Sequence, residues 1–215
     1  MAGNRGTNDS ELVLPNDQRP IVSWDHGVCT TTPDLTRIGV MPGSFNPLHD
    51  GHLRLREAAS EFLERHVVFE LSVANVDKPR LTPAVVRERL QQFTEDPVLL
   101  TDAALFADKA KLFPGCWFVV GMDTAVRLLE PRYYGDSIDR RDDALRLFQG
   151  LKIRFLVAGR LLSDDDATSF KSRDQLATSA ASQDLFVELP EKLFRADISS
   201  SALRNEGSGD GTADG

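Results

Sequence analysis

The stretch Gly43-Ser44-Phe45-Asn46-Pro47-Leu48-His49-Asp50-Gly51-His52 lies between two different hydrophobic periods. Before it, residues 37–41 are a short apolar run that reads as a buried strand. After it, residues 53–65 carry Leu55, Ala58, Ala59, Phe62 and Leu63, close to the i, i+3, i+4, i+7 spacing of a helix. A strand, a tight polar turn and a helix follow one another within 29 residues (37–65). This is the opening unit of an α/β sheet.

Working outward, the alternation continues. Residues 67–73 are rich in Val and Phe and read as a second strand. Thr82-Pro83 supplies an N-cap followed by proline at the first helical position, so a helix runs to about Phe93. Further strands are predicted at 97–100, 116–120, 153–158 and 185–189. Helices are predicted at 104–113, 124–130 and 137–149, with a short one beginning near Ser200. Strands alternating with helices give an α/β fold: a Rossmann-like, doubly wound, mostly parallel sheet with helices on both faces. Ligands of such sheets bind beyond the carboxyl ends of the strands, which singles out the turns after Met41, Val73, Val120 and Ala158.

The chain has 215 residues, of which 41% are hydrophobic, enough for one substantial core. Residues 1–35 read as a flexible N-terminal arm with a short ordered stretch around 21–24, residues 36–206 as the domain, and residues 207–215 as a disordered tail. The net charge of −8 argues against a nucleic-acid partner, whose backbone is gripped by clustered Lys and Arg. No apolar run approaches the roughly 20 residues of a membrane span, and the N-terminus lacks the apolar core of a secretory signal. A cytoplasmic location with both thiols, Cys29 and Cys116, reduced is therefore expected. The oligomeric state, a homo-oligomer included, stays open.

Each residue type in the first turn suits phosphate. Gly43 allows an unusual backbone turn and close approach to a ligand. Ser44 offers a hydroxyl and an N–H to an anion, and Gly51 keeps the helix start open. His49 and His52 are three apart, so both rings lie on one face near a helix N-terminus, where negative charge is favoured. A lone histidine there is usually a cap or a surface residue. Six specified positions together would coincide by chance on the order of once in 10⁸.

GSFNPLHDGH resembles the GxFxPxHxGH signature of the HIGH-motif nucleotidyltransferase superfamily, also called cytidylyltransferase-like. It matches at Gly43, Phe45, Pro47, His49, Gly51 and His52. The resemblance implies transfer of a nucleotidyl group from ATP or another nucleoside triphosphate to a phosphate-bearing acceptor. His49 and His52 would contact the triphosphate, and Ser44, Phe45 and Asn46 would line the nucleotide site. Near the other end, Ile198-Ser199-Ser200-Ser201-Ala202-Leu203-Arg204 resembles the superfamily's ISSTxxR motif, with Ser201 where Thr is commoner. Its hydroxyls would hold phosphate and Arg204 would supply a catalytic cation.

Two weaker signals are similar to nicotinamide mononucleotide adenylyltransferases. Gly121-Met122-Asp123 resembles their GxD turn, where the Asp contacts the nucleotide. Lys78, with Arg89 favoured over Arg87, resembles their acceptor-phosphate contacts, to which Ser44 adds. The aromatic that stacks on the nicotinamide ring has no positional match, although Tyr133 and Tyr134 follow the GMD turn. The resemblance therefore implies an adenylyltransferase for nicotinamide or nicotinate mononucleotide in NAD biosynthesis, with Mg²⁺ carried mainly by the triphosphate. Alternatives are a cytidylyltransferase or another acceptor in the superfamily, and a catalytically silent nucleotide-binding regulator. A Rossmann oxidoreductase is disfavoured because the first turn is not G-x-G-x-x-G.

Overall fold

A computed structural model describes residues 12–25, 28–30, 35, 37–74, 79–159, 182 and 184–194. Its strands are β1 (Ile21–Asp25), β2 (Val28–Thr30), β3 (Gly39–Pro42), β4 (Val67–Ser72), β5 (Val98–Thr101), β6 (Trp117–Gly121), β7 (Arg154–Ala158) and β8 (Phe186–Leu189). The helices are α1 (Asp50–Leu63), α2 (Pro83–Leu90), α3 (Phe106–Leu112), α4 (Met122–Arg127) and α5 (Ile138–Gly150). A single 3-10 turn, Pro131–Tyr134, separates α4 from α5.

One sheet runs β2-β1-β5-β4-β3-β6-β7-β8. From β5 to β8 every pairing is parallel. From β3 the chain winds outward through β4 and β5, then returns to β6 on the other side and winds outward again. The loop after β3 therefore sits at the topological switch point, where α/β sheets bind ligands.

Both faces of the parallel strands are covered, so their sequences read as continuous apolar runs. The period of two still divides them. Met41, Phe69, Leu71, Val119 and Leu156 pack with Leu55, Ala58 and Ala59 of α1 and Val86 and Leu90 of α2. Val40, Val68, Phe118, Val120, Phe155 and Val157 pack with α3, α4 and α5. On that second face Phe118, Phe155 and Phe186 stack across three adjacent strands at centroid distances of 5.7 and 5.3 Å.

Some boundaries differ from the sequence reading. Helix α1 starts at Asp50 rather than Leu53, because His49 adopts an extended conformation (φ −142°, ψ 167°) and acts as the N-cap. The segment 21–24, read as an ordered stretch within the arm, belongs to β1. It pairs antiparallel with β5 from Ile21↔Thr101 to Trp24↔Val98 and buries Val22 completely. No helix among the described residues is long and apolar enough to cross a membrane.

Candidate active site

Phe45 anchors the loop after β3. Its ring is buried and meets Phe69, Phe93 and His52 edge-on at 5.1, 5.3 and 5.2 Å. A Cβ at Gly43 would lie 2.5 Å from that ring. Glycine is needed here because the Phe45 ring occupies the space of a side chain. Gly43 is not among the positive-φ residues, which corrects the expectation of an unusual turn; Phe45 itself takes the left-handed conformation at φ 44°. The Asn46–Pro47 peptide is cis.

The loop is clamped from α2's C-terminal side. Gln92 accepts a hydrogen bond from the Leu48 N–H at 2.7 Å and donates to the Phe45 carbonyl at 3.1 Å. Arg89 donates to the Ser44 carbonyl at 3.1 Å. Burial lowers the Arg89 pKa, with Glu88 opposing, but a guanidinium stays charged.

His49 and His52 stack, with centroids 3.7 Å apart and planes 24° from parallel. The His49 N–H donates to His52 Nδ1 at 3.3 Å. In a neutral imidazole that leaves Nε2 as the protonated nitrogen, a donor suited to a phosphate oxygen. Burial, with a smaller contribution from His49, pushes the His52 pKa down to about 4. Burial also lowers that of His49, opposed by Asp50. Burial therefore favours the neutral form of both rings.

Beside the loop, at the carboxyl ends of β3 and β4, lies a cavity of about 800 Å³. Pro42, Gly43, Ser44 and Asn46 form its wall on the loop side, and Arg89 reaches it from α2. The opposite wall comes from α3, α4, the 3-10 turn and α5. It includes Phe106, Arg127, Leu128, Tyr133, Tyr134 and Arg140. Four lining side chains are basic (Arg89, Lys109, Arg127, Arg140) and two acidic (Glu70, Asp143). Lys109 and Glu70 pair with each other and Asp143 pairs with Arg146, which leaves Arg89, Arg127 and Arg140 to set the sign. In a chain of net charge −8 this is a locally cationic basin, fitted to an anionic ligand.

A cytidylyltransferase-like family model matches residues 40–206, most of the chain. The chain belongs to the cytidylyltransferase-like family. It is a nucleotidyltransferase, an enzyme that takes a nucleoside triphosphate and a phosphate-bearing acceptor. It is also similar to a phosphopantetheine adenylyltransferase from Mycoplasma capricolum subsp. capricolum. The two are 28% identical over 102 residues, covering 46% of this chain and 73% of that enzyme.

In this nucleotidyltransferase the expected residues fall into four groups. Ser44, Asn46, Gly43 and Arg89 meet at the cavity, whereas the exposed Arg87 is not among its lining residues. His49, His52 and Gly51 gather at the first turn of α1, on the loop but not lining the cavity. Gly121 is the N-cap of α4 and the exposed Asp123 lies in its first turn; neither lines the cavity. Lys78, Ile198, Ser199, Ser200, Ser201 and Arg204 lie outside the described residues. Trp117, at the start of β6, is half-buried against the core with the Arg154 guanidinium over its ring at 5.5 Å. The cavity aromatics are instead Phe106 and the tyrosines of the 3-10 turn.

Sequence reasoning missed Gln92, Lys109 and Glu70. Gln92 sits one residue before Phe93 in an ordinary helix end. Lys109 shares its short helix with Lys111 and reads as a solvated charge. Glu70 interrupts an apolar strand, and that polar residue in a run buried on both faces was the available signal.

Proposed function

We propose that the chain transfers an adenylyl group from ATP to a phosphate-bearing acceptor, nicotinamide or nicotinate mononucleotide first, and releases pyrophosphate. The observation that carries this reading is the cationic, aromatic-lined cavity sharing the Gly43–Asn46 loop with the stacked histidines. The acceptor occupies the cavity and the triphosphate lies over the histidines. The same loop then borders both reacting groups.

The acceptor phosphate oxygen attacks the α-phosphorus in line with the departing pyrophosphate. The nucleophile is already an anion, so catalysis is mainly positioning and stabilisation of charge. His52 Nε2–H donates to the α-phosphate oxygen as charge builds there, and His49 donates alongside. Arg89 and Lys78 hold the acceptor phosphate. Asp123 and Gly121 contact the nucleotide, and residues Ile198 to Ser201 with Arg204 hold the leaving phosphates.

Among the described residues no three His, Cys, Asp or Glu side chains converge as a metal cage. Mg²⁺ would enter on the triphosphate, where it would neutralise phosphate charge with few protein ligands. In this reading the enzyme is cytoplasmic and serves NAD biosynthesis. Pantetheine phosphate is the second acceptor, favoured by the activity of the Mycoplasma relative.

The test is pyrophosphate release and product mass with ATP or CTP and each of nicotinamide mononucleotide, its acid and pantetheine phosphate. A dinucleotide from ATP and a pyridine mononucleotide supports the first reading. A product only with CTP overturns the adenylyl assignment. ATP binding without turnover on any pair points to a regulator.

A further inference from the structure

Lys109 is almost wholly buried, with 5% of its side chain exposed, yet it lines the cavity. Its Nζ lies 2.7 Å from each carboxylate oxygen of Glu70, which is itself fully buried. Thr101 Oγ1 donates to Glu70 Oε1 and completes the cluster. The period of two places Glu70 on the same sheet face as Val68, towards α3, which carries Lys109.

Such a pair is poorly explained by stability alone, since well-packed apolar residues would serve at least as well. An ammonium has three N–H donors. Two go to Glu70, and no other described residue takes the third. That donor belongs to a side chain on the cavity wall. Its charge is matched by Glu70, so the local field is close to neutral. A second anion brought here would lie beside a buried carboxylate; an uncharged oxygen meets no such penalty.

We infer that Lys109, held by Glu70, is a specificity-determining residue that donates a hydrogen bond to an uncharged carbonyl oxygen on the acceptor, away from its reacting phosphate. The acceptor class is then a phosphate ester that also carries an uncharged carbonyl group, of which an amide is one form. This rests on the cavity being the acceptor site of the proposed transfer.

Removing Lys109 alone strands Glu70, so the informative variant is Lys109→Met with Glu70→Gln, which retains an acceptor for Thr101. Calorimetric titration of nicotinamide mononucleotide, pantetheine phosphate, glycerol phosphate and ATP into the full chain reads binding without turnover. The expected result is a loss of about 10- to 100-fold in affinity for the two amide-bearing probes, the range of one hydrogen bond to a charged group. Glycerol phosphate and ATP keep their affinities. Unchanged amide binding, equal weakening of all three acceptors, or no binding of either amide probe to the wild-type chain would overturn the inference. A wild-type chain that shows this pattern but releases no pyrophosphate would refute the transfer reading and leave the Lys109 contact standing.

Discussion

Gly43→Ala tests whether the loop is built around the Phe45 ring. The added methyl would lie 2.5, 2.6 and 3.0 Å from the ring's Cζ, Cε1 and Cε2. Comfortable carbon–carbon contact is about 3.5–4.0 Å, so the ring or the backbone must retreat by about 1 Å. The ring cannot withdraw freely, because Phe69, Phe93 and His52 surround it at centroid distances of 5.1–5.3 Å. Overpacking of this kind costs about 1–3 kcal/mol, and the enclosed ring argues for the upper end. Because the ring touches His52, a shift of about 1 Å should also lower turnover by about 10²-fold. Urea unfolding followed by the fluorescence of Trp24 and Trp117, both on sheet strands, measures the first effect. Phe45→Ala alone should cost about 3–5 kcal/mol. With the ring gone, Gly43→Ala should add less than about 0.5 kcal/mol, the scatter expected of independent changes. Equal cost of Gly43→Ala in both backgrounds would refute the ring contact as the reason for glycine.

Three further outcomes are expected. His52→Ala should lower turnover by at least about 10²-fold, by analogy with loss of one preorganised donor, and a fully active variant would overturn its role. Gln92→Ala unpairs the Leu48 N–H and the Phe45 carbonyl and should destabilise by about 1–3 kcal/mol, with turnover falling too; a melting curve and an activity assay read both. Because the folded His52 pKa is depressed to about 4 while the unfolded value is near 6.5, the unfolded chain binds the extra proton between them. The His52 contribution is therefore fully present above about pH 6.5 and lost as pH falls towards 4. Urea midpoints measured across that window should fall less steeply with acid in His52→Gln than in wild type.

How far the molecule was legible in its sequence depended on whether the deciding contact was local. The strands 67–72 and 117–121 declared themselves as apolar runs, because a parallel strand covered on both faces has nowhere to put polar groups. Helix α2 was fixed by Thr82, whose Oγ1 accepts from the Val85 N–H at 3.4 Å, and α5 by Ser137, which accepts from Arg140. The start of α1 was misjudged because histidine is not a usual N-cap; its partner His52 completes the cap from three residues on. Strand β1 was harder still, since a short strand with one fully buried residue carries little pattern. The clamp by Gln92 and the Glu70–Lys109 pair span 44 and 39 residues, and no local period encodes such contacts.

The signature itself divides on the same line. Its six residues do not share one role. Gly43 and Phe45 are two halves of a packing contact that gives the loop its shape. His49 caps α1 and stacks on His52, and the His49 N–H leaves His52 with Nε2 as its protonated nitrogen. A motif read only as ligand contacts would assign all six to the nucleotide. In the proposed transfer the histidines carry the phosphate chemistry, and the geometry assigns the glycine–phenylalanine pair to holding them in place. On this account a change at Gly43 should fail through stability and turnover together, whereas a change at His52 should fail through turnover with the fold intact.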